Sequence, residues 1–507
     1  YLLRVVTLAA VCGLVATPLQ AQDRRVLLDA HGEVRDDAFD YMRMPLQDGD
    51  RVYARIDGRH IKELLNEVVA FSRRSRDDGH RYWGRLSGGP YEAMTADWMQ
   101  ARFEALGFED IHRVEFPLGP QWRPRAWTLT ATGGGQTLEF PSAFPAPPRS
   151  VWSSGRARNV DRPAPAPVML EPSEVEAIWV GLGTEADFAG RDLGGKAVVF
   201  QAMLAPGQMG NSSTWERVAV RAQDAGAAMT VGIWGYAENM GVIQSTEAEQ
   251  TPGYWIGFED GERLRDLLGA GPVTVAASQE VEWVEGLMSP SQYATLPGTT
   301  DETIIITAHM DGWFDAALDN ASGVAVMMAL AEHFAQVPRA QRRRNMVFVG
   351  TAGHHIGSPN SPYMRDEGLL TRTALLLNAE HIAPVQFLGY STELRRTAGI
   401  SPRRWWVHGS DRLLDIALDA YRTFGVSLVG QMHPSASGEI GLIDEEAPSI
   451  QLIRSPEHKH TDLDIPALVP SVGLEAVTRA FAKIIDGVNT LSLEKLQRTP
   501  TARPVVP

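Results

Sequence analysis

Residues 303–309, TIIITAH, form a β-branched apolar run that ends on an imidazole. A run so poor in polar residues suits a strand buried on both faces of a sheet, not one with a wet side. The pattern recurs in NMVFVG (345–350), TALLLNAE (373–380) and APSIQLIRS (447–455). Between and after these runs, SGVAVMMALAEHFAQ (322–336) reads as a helix with Ser322 as its N-cap, and residues 468–491 read as a closing helix. Strands alternating with helices predict an α/β fold around a mainly parallel, doubly wound sheet. In such sheets binding sites lie past the carboxyl ends of the strands.

The residues directly after each strand are therefore informative. His309 and Asp311 come after the first run, and Asp319 and Asn320 a short loop later, just before the helix. His354 and His355 come after the second, Glu380 and His381 after the third, and His458, His460 and Asp462 after the fourth. Alone, a histidine near a strand end reads as a satisfied structural residue, Asp319 as a turn and helix cap, and Glu380 as a surface carboxylate. Together, ligand-type side chains at successive strand ends predict a metal site. The number of candidates predicts two ions, with one carboxylate ahead of the helix bridging them at ~3.5–4 Å separation.

The chain has 507 residues, enough for more than one domain, and a net charge of −15 that argues against a nucleic-acid partner. Residues 1–22 read as a secretory signal segment: Arg4, a short apolar run, then small residues ending at Ala21. Cys12, the only cysteine, falls inside that run behind Val11, which does not suit a lipid anchor. The mature protein is expected to lack cysteine and any membrane span, and to be secreted or periplasmic. Helices over 61–71 and 91–108 read as scaffold. A proline-rich stretch, 140–167, marks the edge of an inserted α/β module that has no catalytic constellation of its own.

The order HMDGWFDAALDNASGVA, FVGTAGHHIGS, LLLNAEHI and HKHTDLD resembles the co-catalytic zinc aminopeptidase family. That family includes bacterial leucyl aminopeptidases, glutamate carboxypeptidase, glutaminyl cyclase and the transferrin-receptor ectodomain. The resemblance implies a three-layer sandwich around a mostly parallel sheet, formed by 23–130 and 285–490. It makes residues 131–284 an inserted protease-associated domain and 491–507 a tail. Zinc, two ions per chain, would be held by His309, Asp319, His355, Glu380 and His460, with Asp319 bridging and Asp311 orienting His309. Where the family carries Glu-Glu, this chain carries His354-His355. His355 keeps the ligand role in this reading, and His354 relays a proton at the position of the family's general base.

The function expected is hydrolysis of a peptide or small amide substrate by a water held between the metals. Three alternatives stay open: an inactive metal-binding receptor or scaffold, a single-zinc acyltransferase resembling glutaminyl cyclase, and a hydrolase of a non-peptide amide or ester. His381 is expected outside the ligand set, and His458 is a reserve ligand. Trp405 and Trp406 are expected to line a pocket or the core. Arg342, Arg343 and Arg344 are expected on a solvated loop, as is Glu439.

Overall fold

The computed structural model describes residues 35–149, 170–203, 211–236, 238–390 and 393–497. The signal-like segment with Cys12, residues 150–167 of the proline-rich stretch and residues 498–507 of the tail lie outside the described residues.

The first sheet has seven strands, numbered along the chain: β1 Glu109–Pro117, β2 Met288–Leu296, β3 Thr303–His309, β4 Asn345–Thr351, β5 Thr373–Ala379, β6 Arg404–His408 and β7 Ser449–Ile453. Their spatial order is β6-β7-β5-β3-β4-β2-β1. The central strands β7, β5, β3 and β4 are mutually parallel, while β6, β2 and β1 pair antiparallel at the flanks. The sheet is thus parallel in its middle and mixed at its edges.

Alternation along each central strand fills two cores. Ile304, Ile306 and Ala308 of β3 join Met346, Phe348, Leu375, Leu377, Ile450 and Leu452 on one face. There they pack against helices α1 (Gly58–Asp77), α3 (Ser322–Ala335) and α5 (Ser471–Asn489), through residues such as Leu65, Met328 and Phe481. Helix α2 (Pro90–Ala105) packs on α1 and β2, and α4 (Asp411–Thr423) on α5. Ile305, Val349 and Leu376 face the other way, onto Trp406, Met364, Ile440 and Ile443. The result is three layers, as the apolar runs require. Each fully buried Ile or Leu contributes roughly 1.5–3 kcal/mol of transfer free energy.

The eight-stranded second sheet comes entirely from chain between β1 and β2 and has its own core, which includes Leu129, Val199, Val231 and Leu264. Its first strand is Gln121–Gly133, which pairs antiparallel along its length with Val273–Val284. The second sheet therefore starts before residue 131. Pro124 hid this strand from a reading of the sequence, yet it sits at a register shift where the ladder tolerates a missing N–H.

The loop between strands Met229–Trp234 and Gly253–Ile256 of the second sheet meets the loop after β7. Val242 forms an antiparallel bridge with Thr461. The Ile243 amide donates to the His460 carbonyl at 3.0 Å, and the Gly241 amide to Asp462 Oδ1 at 3.1 Å.

Two local expectations are corrected, and a third, for Trp405 and Trp406, is decided in favour of the core. Ser322 does not cap α3; Asn320, whose backbone is non-helical, accepts from the Gly323 amide at 3.1 Å, and Ser322 Oγ donates to the Leu318 carbonyl at 2.7 Å. Arg342 and Arg344 are buried, not solvated, because their guanidinium groups collect backbone carbonyls: Arg344 donates to Val488 at 2.7 Å and to Leu491 at 2.8 Å. Trp405 and Trp406 lie on opposite faces of β6 and belong to the two cores. Among the described residues no helix is long and apolar enough to cross a membrane.

Candidate metal centre

The loop after β3 must deliver Asp319 to the place where His309 ends its strand. A buried cation shapes it. Arg85, with no exposed surface, donates to the carbonyls of Met310 (2.9 Å), Asp315 (3.1 Å) and Ala316 (3.1 Å). Asp464 holds the next turn, accepting from the amides of Leu318 at 2.7 Å and Asp319 at 3.1 Å. The start of α3 then presses onto the end of β5. A Cβ on Gly323 would lie 2.0 Å from the Ala379 carbonyl, so only glycine lets the two elements meet.

That meeting builds one constellation around Asp319. Its Oδ1 lies 3.0 Å from His309 Nε2 and 3.0 Å from His381 Nε2. Its Oδ2 lies 3.1 Å from His460 Nε2, 3.4 Å from His355 Nε2 and 3.4 Å from Lys459 Nζ. Two ligand groups result: His309, Asp319 and His381 on one side, and Asp319, His355 and His460 on the other.

Each imidazole is gripped from behind through its other nitrogen. Asp311 serves two of them: its Oδ1 lies 3.2 Å from His309 Nδ1 and its Oδ2 lies 3.1 Å from His355 Nδ1. The His354 and His355 amides also donate to this carboxylate, and Ser87 Oγ donates to it at 2.5 Å. Ser455 Oγ stands 3.4 Å from His381 Nδ1, and Gln244 Oε1, from the loop after strand Met229–Trp234, 3.4 Å from His460 Nδ1. Outer partners of this kind fix ring orientation and leave Nε2 as the ligand atom.

The electrostatics come from burial and these neighbours. Burial opposes the His309 cation, but the Asp311 and Asp319 carboxylates outweigh it and hold that pKa well above the usual imidazole value. The same balance raises His355. Burial works against ionised Asp319 too, yet Lys459 and the surrounding imidazoles keep its pKa well below the ordinary carboxylate range. Burial pushes His381 down to about 4. His460 is held well below its usual value by burial and by Lys459.

The remaining expected residues fall around this core. His354 stacks on His309, with ring centroids 4.0 Å apart and planes 12° from parallel, and burial together with the neighbouring imidazoles keeps it neutral. Its Nε2 is 3.7 Å from Glu380 Oε1. Glu380 forms a further group with His309 and His354 but is not among the atoms that face Asp319 Oδ1; His381, the next residue, is. Burial raises Glu380 to about 7. His458 packs against Phe387 and belongs to none of the ligand groups found among the described residues. Glu439, expected in solvent, is buried beneath the site and accepts from Asn378 Nδ2 at 2.5 Å and from Thr351 Oγ1.

The donor set fits a divalent ion. His309 Nε2, His381 Nε2 and Asp319 Oδ1 are buried with no hydrogen-bond partner and converge on one another, and imidazole and carboxylate are the donors zinc takes. Beside them a small open recess is lined by Tyr82, Trp122, Arg123, Trp313, His355 and Ile356. The Trp313 ring lies 4.2 Å from that of His355 and 4.8 Å from that of His460.

Residues 292–391 match peptidase family M28. No curated protein matches the sequence. Among solved structures, a peptidase M28 precursor from Shewanella amazonensis SB2B is similar at 15% identity, covering 92% of this chain and 100% of that one, with a TM-score of 0.68. BSAP, a zinc aminopeptidase from Bacillus subtilis, is similar at 15% identity, covering 87% of this chain and 98% of its own, with a TM-score of 0.59. An aminopeptidase from Aneurinibacillus sp. strain AM-1 gives 17% identity, 89% and 97% coverage and a TM-score of 0.52. The segment that supplies His309, Asp319, His355 and His381 is thus a match to peptidase family M28, carried on a fold shared with zinc aminopeptidases of known structure.

Proposed function

We propose that the chain is a metal-dependent hydrolase of peptide or related amide bonds, acting as an aminopeptidase. One observation carries the reading: four imidazoles, each gripped at Nδ1, turn Nε2 toward the two oxygens of a single buried carboxylate, Asp319. A structural histidine cluster has no need to leave His309 Nε2 and His381 Nε2 without hydrogen-bond partners in the interior. A divalent ion bound there supplies Lewis acidity toward a substrate carbonyl and acidifies water.

The chain's own groups divide the remaining work. Asp311 fixes His309 and His355, and Asp464 and Arg85 fix the turn that presents Asp319. His354 and Glu380, 3.7 Å apart beside the stacked His309 ring, are the groups able to take up a proton and return it to a leaving amine. Trp313 and the aromatic recess receive the substrate beside His355. The interruption of the first sheet by an independent α/β unit supports reading that unit as a protease-associated domain. The apolar run ahead of Ala21 supports action outside the cytoplasm.

The test is a panel of aminoacyl and N-acylated chromogenic amides, assayed with zinc and with chelator. Cleavage of free-amine substrates that is lost on chelation and restored by zinc is the expected result. Absence of hydrolysis across the panel in the zinc-loaded protein would overturn the reading.

A further inference from the structure

We infer that Lys459 occupies one of the two cation positions around Asp319, so that the chain binds a single divalent ion tightly, between His309, His381 and Asp319 Oδ1. This deepens the metal-dependent reading above and rests on it.

The two sides of Asp319 are not equivalent. On the Oδ1 side stand His309 Nε2 and His381 Nε2, buried, and among the described residues no lysine or arginine is paired with that oxygen. On the Oδ2 side the ligand-type nitrogens of His355 and His460 share their oxygen with the Lys459 ammonium, 3.4 Å away. Lys459 is 8% exposed, so its charge is not dissolved in solvent, and like charges a few ångströms apart in the interior repel strongly. A divalent ion on that side would displace the ammonium or sit beside it.

The charges agree. Asp319 is the only carboxylate in either three-residue group that contains it, and Asp311 is already engaged by His309 and His355. Two divalent ions would leave the cluster strongly positive; one ion and one ammonium leave less charge to offset. Lys459 lies between His458 and His460 in the chain, so the loop that brings His460 to Asp319 brings the lysine with it. The ammonium then gives a fixed positive charge on the side of the site where His355 borders the recess.

The experiment titrates zinc into the full-length apoprotein against a chromophoric chelator, with folding of every variant checked by circular dichroism. The wild type is expected to take up one ion tightly and a second at least roughly 100-fold more weakly. Lys459→Met should tighten the second site toward the first, and Lys459→Arg should keep it weak. In the wild type His355→Ala should leave the tight ion in place, whereas His381→Ala should abolish it; this pair decides the matter even if Lys459→Met does not fold. Two equally tight ions in the wild type, or an unchanged second site in folded Lys459→Met, would overturn the inference while leaving the hydrolase reading intact. No tight ion at all would overturn the metal-dependent reading itself.

Discussion

His381 Nε2 lies 3.0 Å from Asp319 Oδ1, the same distance at which His309 Nε2 faces that oxygen. The strand-end position after β5 therefore offers two donors, the His381 imidazole beside Asp319 and the Glu380 carboxylate beside His309 and His354. His381→Ala should weaken zinc binding by about 100-fold or more, since it removes an inner donor. Glu380→Gln should leave affinity within a few-fold and lower kcat by roughly 100-fold, as expected for a group that handles a proton. Chelator competition and steady-state kinetics on the two variants check this. The opposite pattern would make Glu380 the ligand.

Asp311→Asn keeps the shape of the side chain but removes the charge that orders two imidazoles. An amide nitrogen facing His309 or His355 would favour the wrong tautomer. The expected outcome is a 10- to 100-fold loss of zinc affinity, roughly, together with a lower Tm of the apoprotein, because the buried carboxylate also pairs with His309 and His355. Competition titration and a melting curve in chelator separate the two quantities.

Metal uptake should strengthen with pH. Despite the opposing effect of burial, the Asp311 and Asp319 carboxylates raise the pKa of His309 and His355 in the metal-free protein. A base with a raised folded pKa contributes stability that is full below its unfolded value and is lost as pH climbs through the folded one. The bound protons must leave before a metal can enter, so each displaced proton makes binding about tenfold tighter per pH unit. The rise in Tm on adding zinc should therefore grow from about pH 6 to about pH 8. Calorimetry in two buffers of different ionisation enthalpy should show proton release. A zinc-induced Tm rise that is flat over this range would contradict the assignment.

Arg85→Met strips the loop between β3 and Asp319 of its internal cation. Two carbonyls, those of Met310 and Asp315, would lose the donor they are given, while that of Ala316 would keep only the Ala321 amide. The cost should be about 3 kcal/mol or more in the apoprotein. Urea denaturation in the presence of chelator measures it.

Much of this site could be read from the chain because the chemistry sits where the apolar period breaks. TIIITA, NMVFVG and LLLN declare strands buried on both faces, and the ligand-type residues directly after them mark the sheet edge where they meet. What escaped was decided by neighbours distant in sequence. Glu380 and His381 are adjacent, and only the approach of α3 at Gly323 determines which of them reaches Asp319. Glu439 looks like a loop carboxylate until Asn378 and Thr351 are found against it. Arg342 and Arg344 look solvated because a local reading does not show the carbonyls of Val488 and Leu491 that receive Arg344. The strand Gln121–Gly133 contains a proline that a register shift accommodates, and a register shift belongs to a pair of strands, not to one.

The bridge between Val242 and Thr461, with Ile243 donating to His460, has a consequence for the order of assembly. The last imidazole of the constellation is delivered by a loop that takes backbone partners from a loop of the inserted unit. Synthesis completes that loop long after the second sheet has left the ribosome, so the inserted unit can wait as a finished template. The His355–His460 side of the site is therefore complete only when both halves of the molecule have closed.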